Sequence, residues 1–183
     1  MTATTTTVRA LGALSAGMLA LGMLAACTPE PAPKPKPTKT QLFASDEEAF
    51  AAAERTYRAY TDALNNVDTS DPKTFEPAFE ETTGDFQSRD KKNLSTMHAE
   101  GFTLTGNTVV RGFHGLTTSG AFAQVVGCVT VDVSDTDITD ETGASIVPDD
   151  RPDTYTAVVT FVQEGDGLLI SHADDDREKK CAD

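Results

Sequence analysis

The chain has 183 residues, 38% of them hydrophobic and none of them Trp, which allows one domain with appendages. Its 29 acidic residues outnumber 15 basic ones, so the formal charge is -14. Because a surface of that sign repels phosphate backbones, we do not expect nucleic acid as a partner. The charge suits solubility outside the cell, or a cationic partner.

Residues 1–26 have the pattern of a secretory signal peptide. The polar start carries one charge, Arg9, and the segment from Leu11 to Leu24 is apolar or small and uncharged. As a helix, these roughly 14 residues span only about 21 Å. A bilayer core of about 30 Å needs nearer 20 apolar residues, so the segment indicates an export signal rather than a membrane-spanning helix.

The residues that end this apolar segment are Leu24-Ala25-Ala26-Cys27, and they resemble the lipobox of bacterial lipoproteins. The resemblance implies that the Cys27 thiol receives a diacylglycerol, that the signal peptide is removed just before it, and that the new amino group is often acylated. Two acyl chains are enough for stable anchoring. The resemblance therefore predicts a lipid anchor on the extracytoplasmic face of the cell membrane. The alternative is an ordinary signal peptide followed by an unrelated cysteine.

The segment from Cys27 to residue 44 has the pattern of a linker. TPEPAPKPKPTKT alternates Pro with small or basic residues, which favours polyproline II and buries no side chain. At about 3.1 Å per residue, such a linker holds a domain up to about 50 Å from the bilayer. Lys34, Lys36 and Lys39 are placed to contact anionic headgroups.

Residues 45–183 are predicted to form the folded domain, and its first half has helical patterns. Ser45 and Glu48 have capping-box spacing, and an amphipathic helix is predicted from there to about Asn66. Two shorter helices are predicted after it, the second ended by Gly101. The predicted buried positions of the three helices are, in order, Phe50, Ala53, Tyr57, Tyr60, Leu64 and Val67; Phe75 and Phe79; and Phe86, Leu94 and Met97.

From Phe102 onward the hydrophobic period changes to two, which is typical of strands. FTLTGNTVVRG predicts a strand pair or a bent strand around Gly106 and Asn107. RGFHG, which begins with the last two residues of that segment, predicts a turn. EGDG predicts the tight turn of a hairpin between the last two strands, and DTDITDETGASIVPDDRPD predicts a long polar connection before them. The predicted inward positions are Ala121, Ala123, Val125, Val129, Val131 and Val133 on one strand, and Tyr155, Ala157, Val159 and Phe161 on the next.

Helices followed by an antiparallel sheet with one apolar face predict an α+β fold with the helices packed on that face. This order resembles the NTF2-like (cystatin-like) fold, over about residues 45 to 174. The resemblance implies N-terminal helices in the concavity of a curved sheet. Many NTF2-like enzymes use an Asp–His pair inside that concavity, and His172 with Asp174 is the one local candidate for such a pair. The acidic residues after His172 indicate, however, that the chain has left the sheet there.

With Cys27 lipidated, Cys128 and Cys181 form an even pair in an oxidising compartment, which predicts a structural disulfide. The loop between them has about 53 residues, and the chain-entropy model gives roughly 4 kcal/mol for closing it. The alternative, a redox-active pair, lacks C-x-x-C spacing.

The remaining candidates for chemistry are three histidines and an acidic loop. His98 is placed at a helix end, His114 in the predicted turn and His172 at a strand end, and no zinc-binding pattern includes them. Asp135, Asp137 and Asp140 offer oxygen ligands, but the EF-hand glycine and final Glu are missing, so a solvated loop is predicted. No serine lies in a nucleophile elbow. We therefore predict no metal and no cofactor.

Two functional hypotheses follow. The first is a non-enzymatic surface lipoprotein whose domain binds an unidentified protein, peptide or envelope ligand. The second is a small NTF2-like enzyme, of dehydratase or isomerase type, that acts on a small apolar substrate. They differ in the interior of the domain: a cavity of several hundred Å³ with inward polar groups would favour the enzyme, and a filled apolar interior would favour binding through the exterior.

Overall fold

The computed structural model describes residues 42–176 and Cys181. The predicted signal peptide (1–26), the predicted lipidation site Cys27 and the predicted linker as far as residue 41 lie outside the described residues. Among those that are described, no helix combines the length and the apolar character needed to cross a membrane.

Helix α1 spans Asp46–Asn65 and is capped by Ser45, as the sequence predicts. Ser45 Oγ accepts a hydrogen bond from the Glu48 N–H at 3.3 Å. The Glu48 carboxylate accepts one from the N–H of Ala44 at 2.8 Å, one residue earlier than in the usual capping box. Acidic residues in the first turn face the positive end of the helix dipole. The buried side of α1 consists of Ala49, Ala53, Tyr60 and Thr61.

The folded part begins before the predicted start at Ser45. Leu42 packs against the core, and Phe43 is buried within it. The Phe43 ring lies edge-on to that of Phe122, with centroids 6.1 Å apart. Two residues that the sequence assigns to the linker are therefore part of the domain.

The next two helices bury three of the five predicted residues, and the other two, Phe86 and Met97, are partly buried. A 3-10 turn at Pro72–Phe75 leads into α2, Glu76–Glu80, and this pair of elements buries Phe75 and Phe79. Helix α3, Gly84–Ala99, buries Leu94. Gly101 ends it, as predicted: its φ of 68° is left-handed, and the Phe102 N–H reaches the Met97 carbonyl at 2.9 Å, as in a Schellman motif.

The six strands are β1 Thr103–Thr105, β2 Val109–Ser119, β3 Gln124–Asp132, β4 Asp137–Thr139, β5 Thr154–Glu164 and β6 Gly167–Asp175. Four of them form the antiparallel main sheet in the order β2-β3-β5-β6. A second, two-stranded sheet pairs β1 with β4. Helix α1 packs against β2, β3 and β6, and α3 packs against β6, which confirms the predicted α+β class.

The core lies between α1 and one face of the main sheet. Its largest fully buried apolar side chains are Phe161, Ile170, Val125, Val129 and Val159. These lie on alternate positions of β3, β5 and β6, so the predicted inward faces of β3 and β5 are confirmed at their centres. The predicted hairpin is also confirmed, because Glu164 pairs with Gly167 across a two-residue turn.

Two glycines let aromatic rings lie directly on the backbone of the sheet. A Cβ on Gly115 would lie 2.3 Å from Cγ of Phe50, and a Cβ on Gly127 would lie 2.5 Å from Cζ of Phe113. The Phe113 ring also contacts Phe161, with centroids 6.2 Å apart. The phenyl rings therefore occupy the space between α1 and the sheet.

Three local predictions are wrong. RGFHG is not a turn but part of β2, and the register shifts on both sides of it are strand bulges. The segment around Gly106 does not pair β1 with β2, because β1 pairs with β4 instead. Ala121 lies in a tight turn before β3 rather than on the strand, and its φ of 55° is left-handed.

The long polar connection between β3 and β5 has more structure than the sequence indicates. It contains β4, and Arg151 holds it together from within. The Arg151 guanidinium donates to the carbonyls of Val133 and Thr136 at 2.9 and 2.7 Å and to the Thr136 hydroxyl at 3.0 Å.

Candidate functional site

The predicted disulfide is present. Cys128 and Cys181 are bonded, with their Cα atoms 5.6 Å apart. Cys128 lies in the middle of β3 and is 5% exposed. The Cys181 N–H donates to the Asp176 carboxylate at 2.9 Å, which fixes the end of the tail beside the last residues of β6. The disulfide thus fastens the C-terminal segment to the centre of the sheet.

His172 and Asp174 are hydrogen-bonded but point away from the helices. Asp174 Oδ2 lies 2.6 Å from His172 Nε2, and the two side chains are 53% and 68% exposed. Ala173 between them packs against the core and pairs with the buried Val159. Because side chains alternate along a strand, the pair lies on the opposite face of the sheet. It is therefore not the interior pair that the NTF2-like resemblance implies.

The expectation that the chain leaves the sheet after His172 is also wrong. Strand β6 continues to Asp175, and Asp174 still pairs with Val158 of β5. The acidic residues stay in register because their side chains lie in solvent, where charge carries little cost.

The other two histidines are far from a catalytic arrangement. His98 donates from Nδ1 to the Thr69 carbonyl at 2.8 Å, which joins the end of α3 to the loop after α1. His114 is exposed on β2 and pairs with Cys128 across the sheet. Each of the three histidines thus lies on a different element.

The three acidic residues considered as calcium ligands hold their loop by hydrogen bonds, two within the loop and one to the connection between β1 and β2. Asp135 accepts from the Asn107 N–H, and Asp137 accepts from the Ser145 hydroxyl. Asp140 accepts from Thr142, whose hydroxyl and N–H together lower the pKa of its carboxyl. Within the described ranges, no three side chains of His, Cys, Asp or Glu converge on one point where a metal ion could bind.

A tyrosine–carboxylate cluster that sequence reasoning missed lies between α1 and α3. The Tyr60 hydroxyl donates to Asp90 Oδ2 at 2.8 Å. Burial, and then the charge of Asp90, raise the pKa of Tyr57 to about 12. Burial also raises the pKa of Asp90, while the Tyr60 hydrogen bond and the charge of Arg89 oppose that rise. Tyr57 and Tyr60 therefore stay protonated at neutral pH, and the cluster is a polar contact between two helices.

The sequence identifies the two tyrosines of this cluster but not the aspartate. Tyr57 and Tyr60 are visible as members of the apolar face of α1. Asp90 is one of several charged residues on α3, and nothing in the local pattern distinguishes it from its exposed neighbours. The pairing follows from how the two helices pack.

A cleft of about 210 Å³ lies at the C-terminal end of α1. Its apolar walls are Leu64, Val67 and Leu104, and its polar walls are Asn65, Thr108 and Thr136. None of these residues belongs to the four-stranded sheet, so the cleft lies outside the interior that α1 covers.

The polar groups of the cleft already have partners. The Asn65 side chain donates to the Thr108 carbonyl and accepts from the Thr108 N–H, both at 2.9 Å. The Thr136 hydroxyl donates to Val133 and accepts from Arg151. Gly106 completes the wall, because its backbone lies so close to the Asp135 carbonyl that a Cβ would not fit. The arrangement offers a preformed apolar surface, and the side-chain polar groups of Asn65 and Thr136 already have hydrogen-bond partners within the protein.

No protein-family model matches this chain, and no curated protein sequence matches it. Several solved structures are similar. The intermembrane space region of the chloroplast protein ARC6 is 12% identical, over 69% of this chain and 95% of that one, with a TM-score of 0.49. Aln2 from a Streptomyces species is 11% identical, over 70% and 91%, with a TM-score of 0.43. A de novo designed β-sheet protein is 17% identical, over 70% and 88%, with a TM-score of 0.32.

Proposed function

We propose that this protein is a lipid-anchored binding module of the bacterial cell envelope, held by Cys27 and exposed on the extracytoplasmic face. The lipobox-like residues at 24–27 support the anchor, and the Pro-rich segment after them supports a role as tether. The disulfide between Cys128 and Cys181 agrees with an oxidising compartment.

The observation that favours binding over catalysis is the packing between α1 and the sheet. The Phe50 and Phe113 rings lie directly on the glycines of β2 and β3, with apolar side chains around them. An enzyme of the NTF2-like type would need room there for its substrate and polar groups to orient it. This packing supports the proposal that the domain binds through its outer surface.

The charge of the outer surface favours a cationic partner. Between residues 42 and 176 there are 26 acidic and 8 basic residues, a formal charge of 8 minus 26, or -18. Such an excess accelerates association with positively charged partners and suppresses association with anionic ones. We therefore propose that the domain binds a positively charged protein or peptide of the envelope.

The proposal is tested by in vivo cross-linking of the tagged full chain, followed by purification from detergent-solubilised membranes of the native host. The account predicts one dominant cross-linked partner with a basic surface, which captures this protein in a reciprocal experiment and is released by raised salt. A Cys27→Ala variant, which cannot be lipidated, should give far less of the complex. If no partner is found and native mass spectrometry shows a bound small molecule instead, the binding proposal is wrong.

A further inference from the structure

The cleft beside α1 has the dimensions and walls of a site for one aliphatic group. Its volume of about 210 Å³ is below the 300–1,000 Å³ of typical small-molecule sites and above the roughly 150 Å³ that holds a benzene ring. Leu64, Val67 and Leu104 supply three apolar walls. Since Asn65 and Thr136 already have hydrogen-bond partners within the protein, a ligand entering the cleft gains mainly apolar contact.

Three acidic residues lie next to residues that line this cleft. Helix α1 ends here, and its last turn carries no basic residue, so the negative end of its dipole is uncompensated. Asp62 lies three residues before Asn65 on the same helix face, and Asp68 directly follows Val67. Asp135 reaches the opposite wall, where its carboxylate accepts from the Asn107 N–H and its carbonyl lies against Gly106.

The three acidic residues are exposed, and two cations contact the same region: Arg58 donates to the Val110 carbonyl and Arg151 to the Thr136 hydroxyl. Hydrogen bonds from Ser70 lower the pKa of Asp68, so that carboxylate is ionised at neutral pH. The cation bonded to the cleft wall is Arg151, whose guanidinium is directed at the carbonyls of Val133 and Thr136. The charge that favours a cationic ligand is therefore that of the whole domain, -18 over residues 42–176, and the cleft adds the apolar walls.

We propose that this cleft binds one aliphatic side chain of a cationic polypeptide segment, with lysine or arginine residues on either side of it paired with Asp62, Asp68 and Asp135. The inference rests on the proposed binding role, and it adds the chemistry of the partner and the surface that it uses. A cationic segment with an aliphatic residue matches both features, whereas an acidic peptide would be repelled and a polar one would leave the floor empty.

The direct test uses a tripeptide, Lys-Leu-Lys, with blocked ends and the ¹⁵N-labelled full chain in nonionic micelles. Chemical-shift changes should concentrate at the amides of Leu64, Leu104 and Thr136, and they should weaken as salt is raised. Blocked Lys-Gly-Lys lacks the aliphatic group and Glu-Leu-Glu reverses the charge, so each should bind at least tenfold more weakly. Shifts centred elsewhere, equal binding of Glu-Leu-Glu, or no saturable change by about 10 mM peptide would overturn the proposal.

Two pairs of variants separate the cleft from the rest of the surface. Leu104→Phe fills the cleft and should weaken Lys-Leu-Lys binding at least tenfold, whereas Leu116→Phe on β2 should not change it. Asp62→Asn combined with Asp135→Asn should weaken binding roughly three- to tenfold, as expected for two exposed charge pairs. The matched pair Glu80→Gln and Asp166→Asn, on α2 and in the β5–β6 turn, should leave affinity within about twofold, since distant exposed charges are screened.

The test must also distinguish a partner peptide from the lysines of the chain's own linker, which would compete for the cleft. Replacing Lys34, Lys36 and Lys39 by Gln should leave the cleft amide shifts unchanged. If these shifts move and Lys-Leu-Lys then binds more tightly, the linker occupies the cleft and the proposal is overturned.

The cleft inference and the proposed function fail in different ways. If the Leu104→Phe variant still captures the same envelope partner in cross-linking, the cleft is not the binding surface, although the binding role stands. If the wild-type chain captures no partner, the binding role itself is wrong, whatever the tripeptide does.

Discussion

Removing the disulfide should cost this domain about 4 kcal/mol of stability. The bond joins residues separated by 53 positions, and closing a loop of that length removes about 14 cal/mol/K of entropy from the unfolded chain. At 25 °C this corresponds to about 4 kcal/mol. Cys181→Ser is the cleaner change, because Cys181 is only half-buried, whereas a substitution at the buried Cys128 would also disturb the packing of β3.

The assay is urea unfolding of wild type and Cys181→Ser, followed by far-UV circular dichroism. The midpoint should fall, and the urea dependence should steepen because the unfolded chain is no longer cross-linked. Wild type in excess reductant should reproduce the variant, and it serves as the control for side-chain effects. A loss below about 1 kcal/mol with an unchanged urea dependence would refute the reasoning, since the bond would then not restrict the unfolded chain.

Three further predictions concern the folded domain, and urea unfolding measures each. Gly115→Ala should lower the free energy of unfolding by about 2 kcal/mol, because the new methyl group would overlap the ring of Phe50 on α1. Gly112→Ala, where nothing lies within 4 Å, should change stability by no more than about 1 kcal/mol, and equal losses at both sites would contradict the packing described. Burial raises the pKa of Asp90, so the folded state holds that proton more tightly and wild type loses stability as pH rises above 3.8. The free energy of unfolding of Asp90→Asn should therefore rise relative to that of wild type as the pH is raised from 4 to 7. A relative rise as the pH is lowered would contradict the prediction. Ala121→Asn should stabilise by about 0.5–1 kcal/mol by relieving a left-handed alanine, and a loss would show that its conformation is not strained.

The helices of this domain could be predicted because their signals are local. Ser45 and Glu48 mark the start of α1, Gly101 marks the end of α3, and the three- and four-residue spacing of apolar residues identifies the buried faces. The β5–β6 hairpin has the same property, since EGDG and two alternating segments lie next to each other in the chain. The α+β class followed from the order of these segments, while the NTF2-like resemblance stays a prediction.

The errors occurred where a residue acts through a distant partner. Gly112 and Gly115 have the composition of a turn, but Gly115 is a strand residue that makes room for a ring of α1. The local pattern predicts that β1 pairs or continues with the segment that follows it, whereas its partner β4 lies more than 30 residues later. Long-range pairing of this kind leaves no trace in a local pattern.

The candidate site was predictable to a similar extent. The Cys128–Cys181 pairing followed from counting cysteines, because only one pairing remains once Cys27 is set aside. The cleft could not be predicted, since it depends on Leu104 and Thr136 meeting the end of α1, and neither residue carries a signal for that meeting. The His172–Asp174 pair was found from its spacing, but the face on which it lies depended on a bulge in β6.

The proposed attachment of lipid to Cys27 is the central claim, because the membrane location depends on it. The most direct measurement is intact mass spectrometry of the protein purified from membranes of its native host. We expect a chain that begins at Cys27 and carries a diacylglyceryl group, with or without an additional acyl chain on the amino group. A chain that retains its first 26 residues, or one whose Cys27 thiol is unmodified, would contradict the account.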